Sequence, residues 1–481
     1  MHSLPTQSRI VLLVAACLVV PCSLLLAQGP LNPPGAPVPT MKTLDQLEPR
    51  TPISQLGLTI SSGSYYLAAN LNPLFGPVGV NGITISGNDV TIDLNGFELA
   101  GFASSGAGIF LNGGVTNVTI RNGTIRNWTG HGIDGTGNAR VRVENVRVIN
   151  NGANGIIVDV NGEVLSCVVQ GNAGVGIKGT DNCLVENCQI VSTTGSPGTG
   201  ILLGDSCNVG KCVARSNAGP GISTGNNSVV SNCAAQANVG FGIKVTDNCT
   251  IADSAALSTS GAGSQGIVTG NTGVVSGCTA RLNTGDNIRV GINSTVVKCS
   301  ASGSTGGDGI NASSGYSLIS QCTANFNNQH GINAFQRTRV SDCTANANSQ
   351  SGVHISFVGT VERCFCNGNT VCGILMDAGG FVDILNNTCS ENGVTTSGAG
   401  IRVSVASGCR VEGNNVSANY LGIDIITDRN FIGRNFANNN SFGDFSTGGI
   451  VNSVGPIVDV RNLGGIGGFP DANHPYANFR Y

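Results

Sequence analysis

Val209-Gly210-Lys211-Cys212-Val213-Ala214-Arg215-Ser216-Asn217, followed by Gly221-Ile222, is repeated with small changes along most of this 481-residue chain. The shared pattern is V-x-x-C-x-A-x-x-N and then, a few residues later, the pair G-I. The pattern returns from Val230 to Asn238 and from Val340 to Asn348. A sequence motif repeated in this way indicates that the chain is built from similar structural units.

The G-I pair sets the period of the repeat. Its glycines follow one another at steps of 21 to 24 residues, with one step of 27, and Asn287-Ile288 fills the one gap in the series. The glycines are Gly108, Gly132, Gly155, Gly176, Gly200, Gly221, Gly242, Gly266, Gly309, Gly331, Gly352, Gly373, Gly400 and Gly422. A fixed period of this size is typical of a solenoid. Helical repeats are disfavoured because 71 residues are glycine and Val, Ile, Thr and Asn fill the periodic segments. The sequence therefore predicts a β-solenoid with two or three short strands per coil.

Residue types around the cysteine of the pattern occupy fixed positions, as around Cys278. Val or Ile stands three residues before the Cys, and most often Ala stands two residues after it. Because side chains alternate along a strand, the Cys and the residue two later share one face, which we expect to face the core. Five residues after the Cys, Asn occurs in eleven of fourteen coils; the exceptions are Thr193, Thr259 and Ser304. We expect these Asn side chains to point inward at a turn and to hydrogen-bond from coil to coil.

Two further motifs extend the pattern toward the N-terminus. They are Asn88-Asp89-Val90-Thr91-Ile92-Asp93-Leu94-Asn95-Gly96-Phe97 and Asn117-Val118-Thr119-Ile120-Arg121-Asn122-Gly123-Thr124-Ile125. With the G-I coils through Asn440, they resemble the right-handed parallel β-helix proteins of the pectate-lyase-like superfamily. The resemblance covers roughly residues 57–445 and implies an all-β, right-handed parallel β-helix of about fifteen coils. It does not fix a function, because this fold supports lyases, hydrolases, epimerases and adhesins.

The two ends of the chain differ from the repeat. Residues 1–28 resemble a secretory signal peptide, with Arg9 before an apolar run that ends at Ala27; a membrane anchor or a lipoprotein box at Cys17 are the alternatives. Residues 29–56 are a Pro-rich linker. We expect residues 57–445 to form the β-helix with an N-terminal cap. Residues 446–481 are expected to form a C-terminal cap, because aromatic residues such as Phe469 are concentrated at this end of the chain. The expected mature protein is secreted or bound to the cell surface and has no transmembrane span.

The low net charge of the chain limits the classes of molecule that it is expected to bind. The formal net charge is −3 and only 11% of residues are charged. The sequence shows neither a basic stripe for nucleic acid nor a basic amphipathic helix for a membrane surface. Nucleic acid is therefore not an expected partner.

The cysteines have more than one interpretation. The chain has 18, of which Cys17 and Cys22 lie in the predicted signal peptide, so 16 remain in the mature protein. One thiol per coil in a core column favours free, buried packing groups over disulfides. A second column contains Cys183 and Cys207 on adjacent coils at a corner, where a disulfide is easier to form. Metal binding by cysteine is not expected, because no CxxC pair has a matching partner.

A polysaccharide-binding face is predicted from the residue two positions after each landmark glycine, which should point outward. In five coils this residue is basic: Lys178, Lys244, Arg289, His354 and Arg402. The spacing of three coils between Lys178 and Lys244 corresponds to about 14 Å. This distance is too long for one reaction centre but suits repeated contacts with an acidic polysaccharide. The alternative is a solvated face with ordinary surface charges.

Three acidic residues are candidate metal ligands. Pectate-lyase-like enzymes use clustered acidic Ca²⁺ ligands, and the nearest match here is Asp159, Asp181 and Asp205, which follow the same strand on three consecutive coils. Stacked carboxylates repel one another unless a cation lies between them, so Ca²⁺ is the one cofactor that the sequence suggests. The alternative is that these residues form Asx turns.

One histidine motif resembles that of a known enzyme class. Gly130-His131-Gly132 is similar to the histidine motif of polygalacturonases, but the aspartate pairs that accompany it in those enzymes are absent from the matching positions. The first hypothesis is therefore an exported protein that contacts polysaccharide without assured catalysis. The alternatives are a polysaccharide lyase, glycoside hydrolase or epimerase, and a structural envelope or adhesin-like protein.

Overall fold

Each coil of the chain passes through up to three short parallel strands, which pair with the matching strands of the neighbouring coils. This computed structural model describes residues 48–393, 398–448, 451–461 and 471–481, of which Arg50 onward form one unit. The predicted signal peptide 1–28, most of the predicted linker 29–56 and Phe469 lie outside the described residues. The expected all-β fold is confirmed, and the molecule is a right-handed parallel β-helix.

The strands form three sheets, which we name I, II and III in the order in which a coil passes through them. Sheet I contains Leu58–Ile60, Ile83–Ile85, Ile109–Leu111, Ile133–Asp134, Ile156–Ile157, Ile177–Lys178, Ile201–Leu202, Ile222–Thr224, Ile243–Val245, Ile267–Val268, Ile288–Arg289, Ile310–Ala312, Ile332–Ala334, Val353–Ile355, Cys372–Met376, Ala399–Val403, Leu421–Ile425 and Gly443–Thr447. Sheet II contains Thr51–Ile53, Gly63–Leu67, Val90–Asp93, Glu163–Leu165, Leu184–Glu186, Asn208–Gly210, Val229–Ser231, Thr250–Ala252, Val274–Ser276, Thr295–Val297, Leu318–Ser320, Thr338–Ser341, Gly359–Glu362, Val382–Leu385, Arg410–Glu412, Phe431–Gly433 and Ser453–Val454. Sheet III contains Glu98–Ala100, Val168–Gln170, Gln189–Val191, Val213–Arg215, Ala234–Gln236, Ala255–Leu257, Thr279–Arg281, Ser300–Ser302, Thr323–Asn325, Phe365–Asn367, Thr388–Ser390, Asn415–Ser417, Phe436–Asn438, Ile457–Asp459 and Asn478–Arg480. Two longer strands, Thr116–Arg126 and Ala139–Ile149, run through both sheet II and sheet III.

The number of coils is larger than predicted. Within the described residues sheet I has eighteen strands, so the prediction of about fifteen coils is wrong. Three coils were missed. Gly57-Leu58 and Asp444-Phe445 depart from the G-I pair, and Gly82-Ile83 is an intact pair that precedes the first one in the series. The pairing in sheet II also begins at Thr51, before the expected boundary of the β-helix at residue 57.

Buried asparagines connect successive coils at one corner. The Asn348 Oδ1 accepts the backbone N–H of Asn327 and the Asn327 Nδ2, each at 3.0 Å. The Asn348 Nδ2 donates to the Ala324 carbonyl at 3.0 Å. Asn327 and Asn348 are each 1% exposed. The predicted inward ladder is confirmed, and it satisfies backbone groups that a tight turn would otherwise leave buried without partners.

At a second corner, cysteine and asparagine side chains both accept a backbone N–H from the preceding coil. The Cys167 N–H donates to the Cys188 Sγ at 3.4 Å, and farther along the Cys364 N–H donates to the Asn387 Oδ1 at 2.8 Å in the equivalent place. All sixteen described cysteines are free and buried, which confirms the prediction made for the core column. The bridge considered for Cys183 and Cys207 is not formed, and the Cys207 Sγ instead accepts the Cys183 N–H at 3.3 Å.

Asn287 repairs an interruption of the asparagine ladder. Ser304 occupies the ladder position in its coil, and its short side chain cannot connect the coils on either side. The Asn287 Oδ1 accepts from the Asn283 Nδ2 at 2.8 Å, and its Nδ2 donates to the Asn327 Oδ1 at 2.9 Å. The residue that departs from the G-I pattern therefore spans the coil that lacks a ladder asparagine.

This compensation predicts a rescue between two substitutions. Asn287→Gly is expected to lower the free energy of unfolding by about 1–3 kcal/mol, because it leaves buried amide groups without partners. Adding Ser304→Asn should recover most of that loss, because the ladder then continues through residue 304. Chemical denaturation of the two single variants and the double variant measures the coupling, and strictly additive effects would contradict the explanation.

The end of the chain joins the solenoid. Asn478–Arg480 pairs with Phe436–Asn438 on one side and with Ile457–Asp459 on the other. The Asn478 Oδ1 accepts the Asn435 N–H at 3.0 Å, which extends a corner ladder by one step. The segment predicted to cap the C-terminal end, residues 446–481, therefore includes a strand inserted between two others in sheet III.

Candidate functional site

The outward column of sheet I contains all five predicted polysaccharide-binding residues. The register places Lys178, Lys244, Arg289, His354 and Arg402 at the same position of successive strands. Intervals of three, two, three and two strands separate them. At about 4.8 Å per strand, the column is a line of cationic side chains spaced roughly 10–14 Å apart.

Their surroundings differ. Lys178 and Arg289 are exposed. The Lys244 ammonium lies 4.9 Å from the centre of the Phe241 ring. The Arg402 Nε donates to the Asp424 Oδ2 at 2.8 Å. His354 is part of an extended network of polar side chains.

This network arises from a second column, formed by the residue directly before the landmark position. In five consecutive coils that residue is Asp286, Asp308, His330, Ser351 and Cys372. Side chains of this column contact the outward column of sheet I, since the Asn311 Nδ2 and the Asn333 Nδ2 both donate to Asp308. We name Asp308, His330, Asn333, His354 and Asp377 the His354 cluster.

Asp308 lies at the base of the cluster and is 1% exposed. Its Oδ2 accepts from the Asn333 Nδ2 at 2.8 Å and from the Asn311 Nδ2 at 3.1 Å. Its Oδ1 accepts the backbone N–H of His330 at 2.9 Å. Three donors on a buried carboxylate fix its position and compensate for part of its desolvation.

His354 lies between the buried part of the cluster and the surface. Its Nδ1 lies 3.0 Å from the Asn333 Oδ1, and its Nε2 lies 2.7 Å from the Asp377 Oδ1. An amide oxygen only accepts, so the Nδ1 carries a proton and donates it to Asn333. The Nε2 and the carboxylate oxygen then share one further proton, because two acceptors would repel at 2.7 Å. The His354 and Asp377 side chains are 15% and 45% exposed, so this shared proton lies at the surface.

His330 packs against His354 on the neighbouring coil. The two rings are stacked with centroids 4.6 Å apart and an angle of 18° between their planes. The His330 Nδ1 accepts the Ser351 N–H at 3.3 Å. In the neutral ring the proton is therefore on Nε2, which makes His330 an uncharged donor beside the His354–Asp377 pair.

Burial shifts the pKa values in the cluster. It raises the pKa of the Asp308 carboxyl to about 6; the Asn333 amide opposes this shift, and the nearby Asp286 carboxylate adds to it. Burial also raises the pKa of Asp286. Burial and the neighbouring His354 lower the pKa of the His330 imidazole to about 4. Groups with pKa values shifted in opposite directions on one surface are typical of sites for proton transfer.

The raised pKa of Asp308 predicts a pH-dependent difference between wild type and Asp308→Asn. Asp308 contributes stability below the pKa of an unfolded aspartate and loses that contribution as the pH rises through about 6. Between pH 4 and pH 8 the wild type should therefore lose about 2 kcal/mol of unfolding free energy relative to Asp308→Asn. His330 titrates in both proteins, so its contribution to the difference in unfolding free energy largely cancels. Urea denaturation at both pH values measures the difference, and a constant difference would contradict the assignment.

The three candidate calcium ligands have partners in the adjacent coils. The Asp181 Oδ1 accepts the Asp205 N–H at 2.9 Å, and the Asp205 Oδ1 accepts the Asn226 N–H at 2.7 Å. The Asp159 Oδ2 accepts the Gly137 N–H at 2.8 Å. These contacts give all three residues a structural role as turn residues that join coils. Calcium binding by them stays a prediction.

Sequence reasoning found His354 but missed Asp308, His330, Asn333 and Asp377 as a group. The signal is the column directly before the landmark position, which changes in five consecutive coils to Asp286, Asp308, His330, Ser351 and Cys372. His131, the other histidine before a G-I pair, accepts the Asn154 N–H at its Nδ1 at 3.1 Å, and its Nε2 lies 3.9 Å from the Asp134 Oδ2.

The described part of the chain has no helix long and apolar enough to cross a membrane.

Among solved structures, the chain is similar to the Dettilon tailspike protein (gp208), with 11% identity over 65% of this chain and a TM-score of 0.36. The chain spans 62% of the length of that tailspike. The mannuronan C-5 epimerase AlgE4 A-module of Azotobacter vinelandii matches with 14% identity over 83% of this chain and 91% of its own, at a TM-score of 0.31. The tailspike protein of E. coli bacteriophage HK620 matches with 11% identity over 76% of this chain and 72% of its own, at a TM-score of 0.32. These likenesses concern the fold alone.

Comparison with curated proteins finds no match. The family described as "Right handed beta helix region" matches residues 72–209, 132–280, 173–317 and 293–442. These overlapping matches extend over most of the chain, and they coincide with the stacked coils. The chain therefore belongs to the right-handed β-helix family.

Proposed function

We propose that this protein binds an acidic polysaccharide along the outward face of sheet I and exchanges a proton with the bound sugar at the His354–Asp377 pair. One observation carries the proposal: the 2.7 Å contact between the His354 Nε2 and the Asp377 Oδ1 lies at the surface, in line with the cationic column of sheet I. In this proposal the chain is exported through residues 1–28 and acts outside the cytoplasm.

The cationic column supports the choice of an acidic polymer. Lys178, Lys244 and Arg289 lie at the same register position of sheet I, with intervals of three and two strands between them. A line of like charges attracts an extended polyanion and aligns it with the axis of the solenoid. A small anionic ligand would need only one of these positions.

The His354 cluster supports a proton-transfer step. A uronate sugar has a C–H bond next to its carboxylate, and a base can take that proton while the electron pair moves into the carboxylate group. The proton can then return to the opposite face of the sugar, which gives an epimer. Alternatively, the neighbouring C–O bond breaks and the departing oxygen takes a proton, which gives an unsaturated sugar. The His354–Asp377 pair supplies both the acceptor and the donor, and the neutral His330 can donate to the negative charge that develops.

Binding is tested by affinity electrophoresis through gels that contain acidic polysaccharides. The double variant Lys244→Ala/Arg289→Ala should bind about tenfold more weakly than the wild type, because two charge contacts are removed. Arg215→Ala/Arg281→Ala is the matched control, since both arginines are exposed on sheet III and the change in net charge is the same. Equal weakening in the two variants would show that sheet I is not the binding face.

Elimination is tested by ultraviolet absorbance of unsaturated uronate products and epimerisation by NMR of the recovered polymer, each with and without calcium. Product formation that requires calcium would also support the calcium proposal for Asp159, Asp181 and Asp205. Binding without any chemical change would leave a non-catalytic polysaccharide-binding protein as the function. Absence of both binding and product would contradict the proposal as a whole.

A further inference from the structure

We propose that Asp308 is a positioning residue that fixes the protons of His354 through the amide of Asn333; the role in catalysis rests on the proposed function. Asp308 is too deeply buried to touch a bound sugar. It acts on the part-exposed His354–Asp377 pair from two coils away, through one intervening side chain.

The amide of Asn333 transmits the effect because its two ends are chemically different. The ionised Asp308 carboxylate only accepts hydrogen bonds, so Asn333 must direct its NH₂ group toward the Asp308 Oδ2, at 2.8 Å. The amide oxygen then faces the His354 Nδ1 at 3.0 Å. That oxygen only accepts, so it holds a proton on Nδ1 and leaves Nε2 for the proton shared with Asp377.

The other contacts of Asp308 keep it in place without reaching His354. The Asn311 Nδ2 donates to the same Oδ2 at 3.1 Å from within the coil of Asp308, three residues farther along the chain. The His330 N–H donates to Oδ1 at 2.9 Å. Asn311 therefore provides a matched control, since it donates to the same carboxylate but is not part of the path to His354.

Protonation of Asp308 should loosen this arrangement. A protonated carboxyl has its own O–H donor and no longer requires the NH₂ group of Asn333, so the amide can turn and face His354 with its NH₂ group. The raised pKa of Asp308, about 6, places this change close to neutral pH. The ionisable groups around Asp308 are Asp286, whose Oδ1 accepts the Asp308 N–H, and His330 and His354. Farther out, Arg289 acts on Asp286 and Asp377 acts on His330.

Ring-nitrogen NMR of the full-length protein with ¹⁵N-labelled histidine tests the relay without a substrate. The His354 signals are assigned from their loss in His354→Gln. In the wild type at pH 8, Nδ1 should show the chemical shift of a protonated nitrogen. In Asn333→Ala, Nδ1 should move toward the shift of an unprotonated nitrogen. Asn311→Ala should retain the wild-type pattern at pH 8.

The outcomes separate this inference from the proposed function. If Nδ1 is unprotonated in the wild type, or if Asn333→Ala leaves the His354 signals unchanged, the relay is wrong even when the protein acts on polysaccharide. If the signals behave as expected but no polysaccharide is bound or changed, the relay stands and the proposed function fails. Should Asn333→Ala not fold, the proton on Nδ1 of wild-type His354 at pH 8 still tests the relay, because an unprotonated Nδ1 would contradict it.

Discussion

Asn348→Ala is expected to lower the free energy of unfolding by about 3–6 kcal/mol, the largest effect on stability that we predict for a single side chain. The substitution leaves the Asn327 N–H and Nδ2 and the Ala324 carbonyl without the partners that Asn348 supplies. Each buried polar group without a partner costs about 1–3 kcal/mol. The ladder passes through the core, so water does not readily replace the missing amide.

Hydrogen exchange measured by mass spectrometry shows which coils lose stability in Asn348→Ala. Because each coil contacts only its neighbours, protection should decrease most between residues 324 and 369 and much less at the ends of the solenoid. Ser349→Ala is the control, since Ser349 is an exposed neighbour in the same turn. Equal protection in Asn348→Ala and Ser349→Ala would contradict the structural role of the ladder.

The second large effect concerns the proposed chemistry. His354→Gln should reduce proton exchange with the bound sugar by about 10²–10⁴-fold, the usual contribution of a positioned acid–base group. The fold should be retained, because His354 is part-exposed and its Nδ1 contact is one that the glutamine amide can reproduce. Exchange is measured by NMR under single-turnover conditions, and circular dichroism verifies folding.

His474→Gln is the matched control for this substitution. His474 is exposed in the C-terminal segment, and its Nδ1 accepts only a local N–H, from Tyr476 at 3.2 Å. This variant should exchange protons at the wild-type rate. A similar loss in both histidine variants, or wild-type exchange in His354→Gln, would exclude His354 as the acid–base group.

The sequence alone was sufficient to predict the fold because its main determinant is local and repeated. The G-I pair places one buried branched residue per coil in sheet I, and that column has 0% exposure at Ile156, Ile177 and Ile201. The equivalence of Cys188 and Asn387 at one corner could not be predicted in the same way. Both residues accept a backbone N–H there, yet a thiol and an amide have little in common in composition or hydropathy.

The candidate site was only partly predictable for a geometric reason. His354 was found because it lies in the outward column, which the period of two along a strand identifies directly. The contact of Asn333 with Asp308 joins two different columns on adjacent coils. It depends on how far each side chain leans across the sheet, which spacing does not reveal. Asn287 shows the same limit, because its bridge to Asn327 spans a whole coil.

The most direct test of the proposed function is deuterium exchange, since epimerisation and elimination both begin with removal of the proton next to the uronate carboxylate. The wild-type protein is incubated in D₂O with a panel of polyuronates, and NMR records the loss of that proton. We predict exchange on at least one polymer, with the rate strongly reduced in His354→Gln and unchanged in His474→Gln. A polymer that binds to sheet I but keeps this proton throughout would contradict the proposed proton transfer.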